Sequence, residues 1–345
     1  MATSPGALHI LSFRSYLQLN IATFIKSFKD SETIKDLLSE LILLISSYQE
    51  EGTKLFPAVF LAQDLKELMS LTHSKNNVPV GHGAKDPPLA ESREWAVYFI
   101  DSESQLHYGI FLNDLSPLSP TPFERLRQAK SKDSNIVGIS KLGGNFIELR
   151  ANNGEFQYLN LMGDSDESAN PPKLIRNFTK HLTSGANEEI KSHLELFYYR
   201  VGVNILHATH GTLVAVVNKE YPVPEIFHDG IILDKPILIS AGIAQFLASN
   251  NIEDFQKLLA WNHLLSMMTG MDGITVLNTE GSIIAYNCFI KNSLQLQRTK
   301  DAVLGGARKR AFSALCKYLN HELAAVLYKS QDGHIELGAS EDRLS

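Results

Sequence analysis

Cysteine is scarce in this chain: Cys288 and Cys316 are the only two among 345 residues. That count excludes a small disulfide-stapled fold, and both lie inside apolar segments, where they read as structural thiols rather than bridge partners. Long hydrophobic runs are lacking too. The most apolar early stretch, Leu37–Ile45, is far shorter than the roughly 20 residues a bilayer demands and carries Glu40. No membrane partner is expected. The N-terminus shows no basic segment leading into an apolar core and a small-residue cleavage site, so the chain reads as cytoplasmic. Positive charge is not in excess: 32 Lys and Arg against 38 Asp and Glu leave a formal net charge of −6. That balance excludes the broad cationic face of sequence-independent DNA binding, while a local basic patch still suits a small anionic ligand. No internal repeat of fixed period and no low-complexity tract is evident.

What is present is the make-up of a folded chain with an ample core, 44% hydrophobic and 20% charged. Its length fits two domains. Ile34, Leu37, Leu38, Leu41, Ile42 and Ile45 recur at helical spacing, which predicts a helix over 31–50 with Ser31 and Glu32 at its start. A second helix is expected at Leu61–Leu71 after Pro57. A loop over 74–92 then collects Pro79, Gly81, Gly83, Pro87 and Pro88. From Trp95 the pattern turns to strands, with a hairpin of 95–100 and 107–112. A meander of 136–141, 145–150 and 155–161 follows, with turns at Gly143-Gly144 and Asn152-Asn153-Gly154.

The acidic, proline-ended stretch Gly163–Pro172 reads as a boundary. Beyond it come a helix (186–206), a strand (211–217) and helices at 237–248 and 252–268. A hairpin of 274–277 and 283–289, a helix at 307–319 and a strand at 324–328 close the chain. The layout expected is a helical N-terminal region and loop (1–92), a small α+β module (93–165), a linker (166–186) and a larger domain (187–340). The fold class is mixed α/β, of the α+β kind, with a sheet flanked by helices in the larger domain.

Three stretches of that domain have the residue types for chemistry. Met271-Asp272-Gly273-Ile274 stands at a strand entrance, where a carboxylate reaches the sheet edge and glycine admits a close backbone approach to a ligand. An ordinary Asp-Gly turn has the same letters. Gly305-Gly306-Ala307-Arg308-Lys309-Arg310 opens a helix, whose first N–H groups and positive dipole end suit a phosphate. Three cations there oppose that dipole, and a broken local rule points to function, the alternative being a solvated basic turn. Lys329-Ser330-Gln331-Asp332-Gly333 reads, alone, as a hairpin turn.

Taken in order, the Gly211–Val217 strand, the Asp272-Gly273 pair, the Gly306–Ala311 run and the closing strand-turn Ala325–Ile335 resemble the diadenylate-cyclase domain of bacterial cyclic-di-AMP synthases. They are more similar still to its sensor-like offshoots. The resemblance spans residues 187–340, under half of the chain, and implies a mixed sheet flanked by helices after a smaller α+β module. In that family the Asp of the Asp-Gly pair helps hold the metal and the attacking ribose hydroxyl, a role that falls on Asp272 with Gly273 beside it. The family's Gly-Thr-Arg-His-Arg run grips ATP phosphates; here it corresponds to Gly306, Arg308 and Arg310, with Ala307 for the threonine and Lys309 for the histidine. Its Ser-Glu-Glu turn falls near Lys329-Ser330-Gln331, so the acidic residue is missing unless Asp332 replaces it.

The resemblance therefore implies a nucleotide site of Asp272, Gly273, Gly306, Arg308, Lys309, Arg310 and Ser330. If chemistry survives, Asp272 is also the catalytic residue and the metal ligand for Mg2+ or Mn2+. Losing a metal-side carboxylate removes on the order of several kcal/mol of transition-state stabilisation; binding keeps its arginines. The expectation is a sensor or regulatory protein that binds ATP or a cyclic dinucleotide. An active diadenylate cyclase and a non-binding interaction scaffold are the alternatives. A homodimer and a separate effector protein are the protein partners this implies.

Other features read as structural. His207 and His210, spaced for one helical face, have no Cys or acidic partner at zinc-ligand spacing. Val80–Asp86 is a glycine-rich loop, with a ligand lid as the alternative. Met267, Met268 and Met271 read as core, and Asp164–Glu167 as a solvated linker.

Overall fold

The computed structural model describes residues 5–25, 31–47, 49–50, 53–54, 58–74, 77–79, 95–102, 105–112, 116–131, 135–142, 146–161, 170–208, 210–218, 223–290, 306–331 and 333–340. Two compact units result: unit 1 holds residues 1–115 and 119–167, and unit 2 holds 116–118 and 168–345. Both are mixed α+β, as expected.

Unit 1 begins with helices α1 (Pro5–Phe24) and α2 (Ser31–Ser47) and a two-residue ladder of β1 (Gln49–Glu50) with β2 (Thr53–Lys54). Then come β3 (Ala58–Ala62), α3 (Leu65–Thr72), β4 (Asn77–Pro79), β5 (Trp95–Ser102) and β6 (Gln105–Leu112). The helix α4 (Pro122–Gln128) leads to β7 (Ile136–Leu142), β8 (Phe146–Ala151) and β9 (Phe156–Asn160). The sheet runs β4-β6-β5-β3-β7-β8-β9, parallel between β3 and β5 and antiparallel at its other pairings. Leu17, Ile21, Leu38, Ile42 and Ile45 of α1 and α2 cover one face, against Val59, Leu61, Val137 and Ile139. Leu68 of α3 and Leu126 of α4 cover the other, against Phe60, Ala62 and Ile136.

This overturns the division into a helical region (1–92) and a separate module (93–165). β3 lies between β5 and β7 in one sheet. Its residues Val59–Ala62 are all buried, so the run shows no alternation and cannot be told from helix by pattern. The helix expected from Leu61 starts later, where the Asp64 side chain accepts a hydrogen bond from the Lys66 N–H at 2.8 Å. The stretch read as loop holds β4. α1 is a helix the sequence reading leaves out, because its apolar residues do not keep to one side.

Unit 2 opens with α5 (Pro171–Leu182) and α6 (Glu188–His207). Most of the expected linker (166–186) is therefore helix. Pro171 and Pro172, which look like a stop, occupy its first positions, where a missing N–H costs nothing, and Asn170 caps it. β10 (Thr212–Val217), β11 (Phe227–His228) and β12 (Ile231–Leu238) precede α7 (Ile239–Ser249) and α8 (Ile252–Thr269). The hairpin of β13 (Ile274–Asn278) and β14 (Ser282–Ile290) follows, then α9 (Ala307–Leu315), a short 3-10 turn (Cys316–Tyr318), β15 (Leu323–Lys329) and β16 (Ile335–Ala339).

The order is β11-β14-β13-β10-β15-β16, with β12 also alongside β14. β10 and β13 are parallel and the other pairs antiparallel. The hairpin turn is set by Asn278, whose Oδ1 accepts from the N–H groups of Glu280 and Ser282, and by Gly281 at φ 73°. β12 has no counterpart in the sequence reading, since Ile231, Ile232 and Leu238 are exposed and follow no inward-facing alternation. Of the three methionines read as core, Met268 is buried; Met267 and Met271 are exposed. Among the described residues, no helix is long and apolar enough to cross a membrane.

Candidate functional site

Strand direction gathers the predicted residues of unit 2. β10 and β13 are parallel and so begin at the same end of the sheet. β15 runs against β10 and ends there, with Lys329 opposite Thr212. β14 runs against β13 and ends there as well, with Cys288 opposite Ile274. Asp272 and Gly273 stand just before β13, at this end. Glycine is required at position 273, since a Cβ would lie 2.4–2.8 Å from backbone atoms of Asn287, itself left-handed at φ 52°.

The first turn of α9 reaches the same place. Arg308 Nη2 donates to Asp272 Oδ1 at 2.7 Å. Arg308 Nε is buried with no hydrogen-bond partner among the described residues. Gly211 makes room for the guanidinium, for a Cβ there would sit 3.1 Å from Arg308 Nη1 and 3.1 Å from the Lys329 carbonyl oxygen. Gly306 is the N-cap of α9 and supplies no side-chain cap, and the first turn has no acidic residue. Among the described residues nothing caps its leading N–H groups, an arrangement that suits an anion.

The other predicted residues are placed differently. Lys309 turns to Glu336, with its ammonium 5.2 Å from the Phe312 ring centre and 5.6 Å from that of Tyr328. Glu336 also meets His334 Nε2 at 2.7 Å, and these two hydrogen bonds outweigh burial to hold its carboxyl below the usual range. Lys309 is thereby committed to the sheet rather than to Asp272. Arg310 is exposed, and its N–H closes the first helical bond to the Gly306 carbonyl. The Ser330 hydroxyl accepts from the His334 N–H at 3.0 Å and belongs to the turn. Asp332, the loop at Val80–Asp86 and the acidic run at 164–167 lie outside the described residues.

Two site residues escaped the sequence reading. One is Gly211, visible only once α9 is in place. The other is Lys329, buried at the end of a strand with no exposed residue. Its Nζ donates to the carbonyl of Ala208, the C-cap of α6, at 2.7 Å and to that of His210 at 3.2 Å. Burial lowers its ammonium to about 8. The sequence signal was present as one cation closing the apolar run Leu323–Tyr328.

Among the described residues no three His, Cys, Asp or Glu side chains gather to hold a metal. Asp272 is already paired with a cation, so these residues do not by themselves form a resident metal site. In unit 1 an open groove of about 730 Å3, lined by Arg127, Lys130, Glu155 and Phe156 among others, holds none of the predicted residues. No protein-family model, no curated protein and no solved structure matches the chain.

Proposed function

We propose that unit 2 is a nucleotide-binding sensor module that takes ATP or a cyclic dinucleotide at the Asp272–Arg308 end of its sheet. The observation that carries this is the convergence there of the Arg308 guanidinium and a helix start at Gly306 with no side-chain cap, packed onto the strand ends where Gly211 and Gly273 leave room. A guanidinium and helix N–H groups together are donors matched to phosphate oxygens. In this reading Arg308 and the first turn of α9 take the phosphates, and Asp272 meets the ribose hydroxyl. The signal would pass to a separate effector protein.

Binding is favoured over catalysis because both carboxylates described at this end are already engaged, Asp272 by Arg308 and Glu336 by Lys309 and His334, where transfer chemistry needs groups to manage a metal and phosphate charge. Melting curves of the full chain with ATP and with cyclic-di-AMP test the reading, with a rise in melting temperature expected for at least one of them. No shift at millimolar ligand removes it. Accumulation of cyclic-di-AMP from ATP and Mn2+ would replace it with the cyclase.

A further inference from the structure

We infer that unit 1 is a second copy of the unit 2 fold in which the corresponding helix start is capped by its own side chains, so that the chain takes up one anionic ligand and not two. This rests on the site proposed above. In both units two helices come first (α1 and α2; α5 and α6). A central strand (β3; β10) then has a parallel neighbour on one side (β5; β13) and an antiparallel one on the other (β7; β15). The parallel neighbour turns back as a hairpin (β6; β14), and the strand beyond it (β4; β12) precedes that hairpin in the chain. A helix (α4; α9) then leads to the antiparallel neighbour, which turns into the next strand (β8; β16). Six strands share order, direction and connectivity. Among the described residues the units differ in β9 and the β1–β2 ladder, found only in unit 1, in β11, found only in unit 2, and in α3, which comes before β4 where α7 and α8 come after β12.

Register extends the match to single residues. Val59 pairs with Ile139, as Val214 pairs with Leu327. Two positions further along, Lys141 falls on Lys329. Both are buried lysines, and both reach the end of the second helix: Lys141 Nζ donates to the Ser46 carbonyl in the last turn of α2 at 2.8 Å, as Lys329 does to the C-cap of α6. Fully buried lysine is rare enough that two at one register position, on the same helix end, are not a general property of sheets. Glu148, opposite Ser140, falls on Glu336, opposite Tyr328. Each accepts from a cation of the helix between hairpin and strand, though from different turns of it: Arg127 in the last turn of α4 at 3.0 Å, and Lys309 in the first turn of α9.

The copies part at the start of that helix. In α4 the Thr121 hydroxyl accepts from the Glu124 N–H at 3.1 Å, and Glu124 Oε2 accepts from the Thr121 N–H at 2.8 Å. This reciprocal box satisfies the N–H of Glu124 with a hydroxyl and that of Thr121 with a buried carboxylate, and Pro122 between them has no N–H to satisfy. In α9 the corresponding positions are Gly306 and Lys309, which supply no such cap.

Calorimetric titration of the full chain with ATP tests this. One equivalent per chain is expected, weakened about tenfold or more by Arg308→Ala and by Arg308→Gln, and unchanged by Glu124→Gln. Melting curves of the variants separate a lost site from a lost fold. Two equivalents, or one that survives both Arg308 changes, would overturn the inference while leaving nucleotide binding in place. No uptake by the wild-type chain would overturn the inference together with the reading beneath it.

Discussion

Arg308 Nη2 and Asp272 Oδ1 meet at 2.7 Å although 36 residues of chain separate them, and the Asp272 side chain is 93% exposed. Ion pairs of such exposure contribute about 0–1 kcal/mol to folding. The weight of the pair lies in charge: the carboxylate neutralises the guanidinium that a phosphate would need. Asp272→Asn should therefore change stability by less than about 1 kcal/mol and strengthen binding of inorganic tripolyphosphate. ATP, whose ribose the carboxylate is proposed to meet, should gain less or lose. Competition between the two ligands measures the difference, and equal changes for both would remove Asp272 from the ribose.

Gly273 offers a sharper structural test. A Cβ there would collide with backbone rather than with a movable side chain, 2.4 Å from the Asn287 carbonyl carbon. Gly273→Ala must push the start of β13 away from β14, at an expected cost of roughly 1–3 kcal/mol. A lowered urea midpoint together with lost ATP binding is the expected result. Wild-type stability would show that the two strands separate there without cost.

How much of this was legible in the sequence depends on which physical signal each feature leaves. The hairpin around Asn278–Gly281 is written in its turn residues, and α8 in its Asn251 cap and length, so both come out within a residue or two. β3 is buried on both sides and carries no period, and β12 is exposed and carries none either. At the site, the cations that open α9 break a local rule, whereas Asp272-Gly273 has the letters of an ordinary turn and stands out only by its order with the other stretches. Lys309 looks like the equal of Arg308 in sequence, and only the fold shows that helical rotation delivers it to Glu336. The likeness of the two units is invisible as a period because insertions of different length separate matched strands: β3 and β5 start 37 residues apart, β10 and β13 start 62 apart.

The two thiols bear on handling. Burial pushes both Cys288 and Cys316 up to about 11, with the nearby Glu336 carboxylate adding to the effect at Cys316. At pH 8 nearly all of each is the unreactive thiol. A disulfide-exchange reagent should label the native chain slowly at both positions and the urea-unfolded chain fast. Rapid labelling of the native chain at one residue would mark a local opening there.

Lys329 yields a pH dependence whose sign can be worked out. Its ammonium titrates at about 8 in the folded chain against 10.5 when free, because burial disfavours the charge. Below pH 8 both states hold the proton, and the folded chain bears the full desolvation cost. Between 8 and 10.5 the unfolded chain binds more protons than the folded one, so stability rises with pH through that window and levels off above it. Lys329→Met removes the titrating group and with it this slope. The difference in unfolding free energy, wild type minus variant, should therefore grow in favour of the wild type from pH 7 to pH 10, by no more than about 3 kcal/mol. Urea titrations at three pH values suffice to see it. A difference that stays flat would mean that the donation to Ala208 and His210 holds the ammonium charged, and that the loop bearing Gly211 is fixed by a cation at every pH tested.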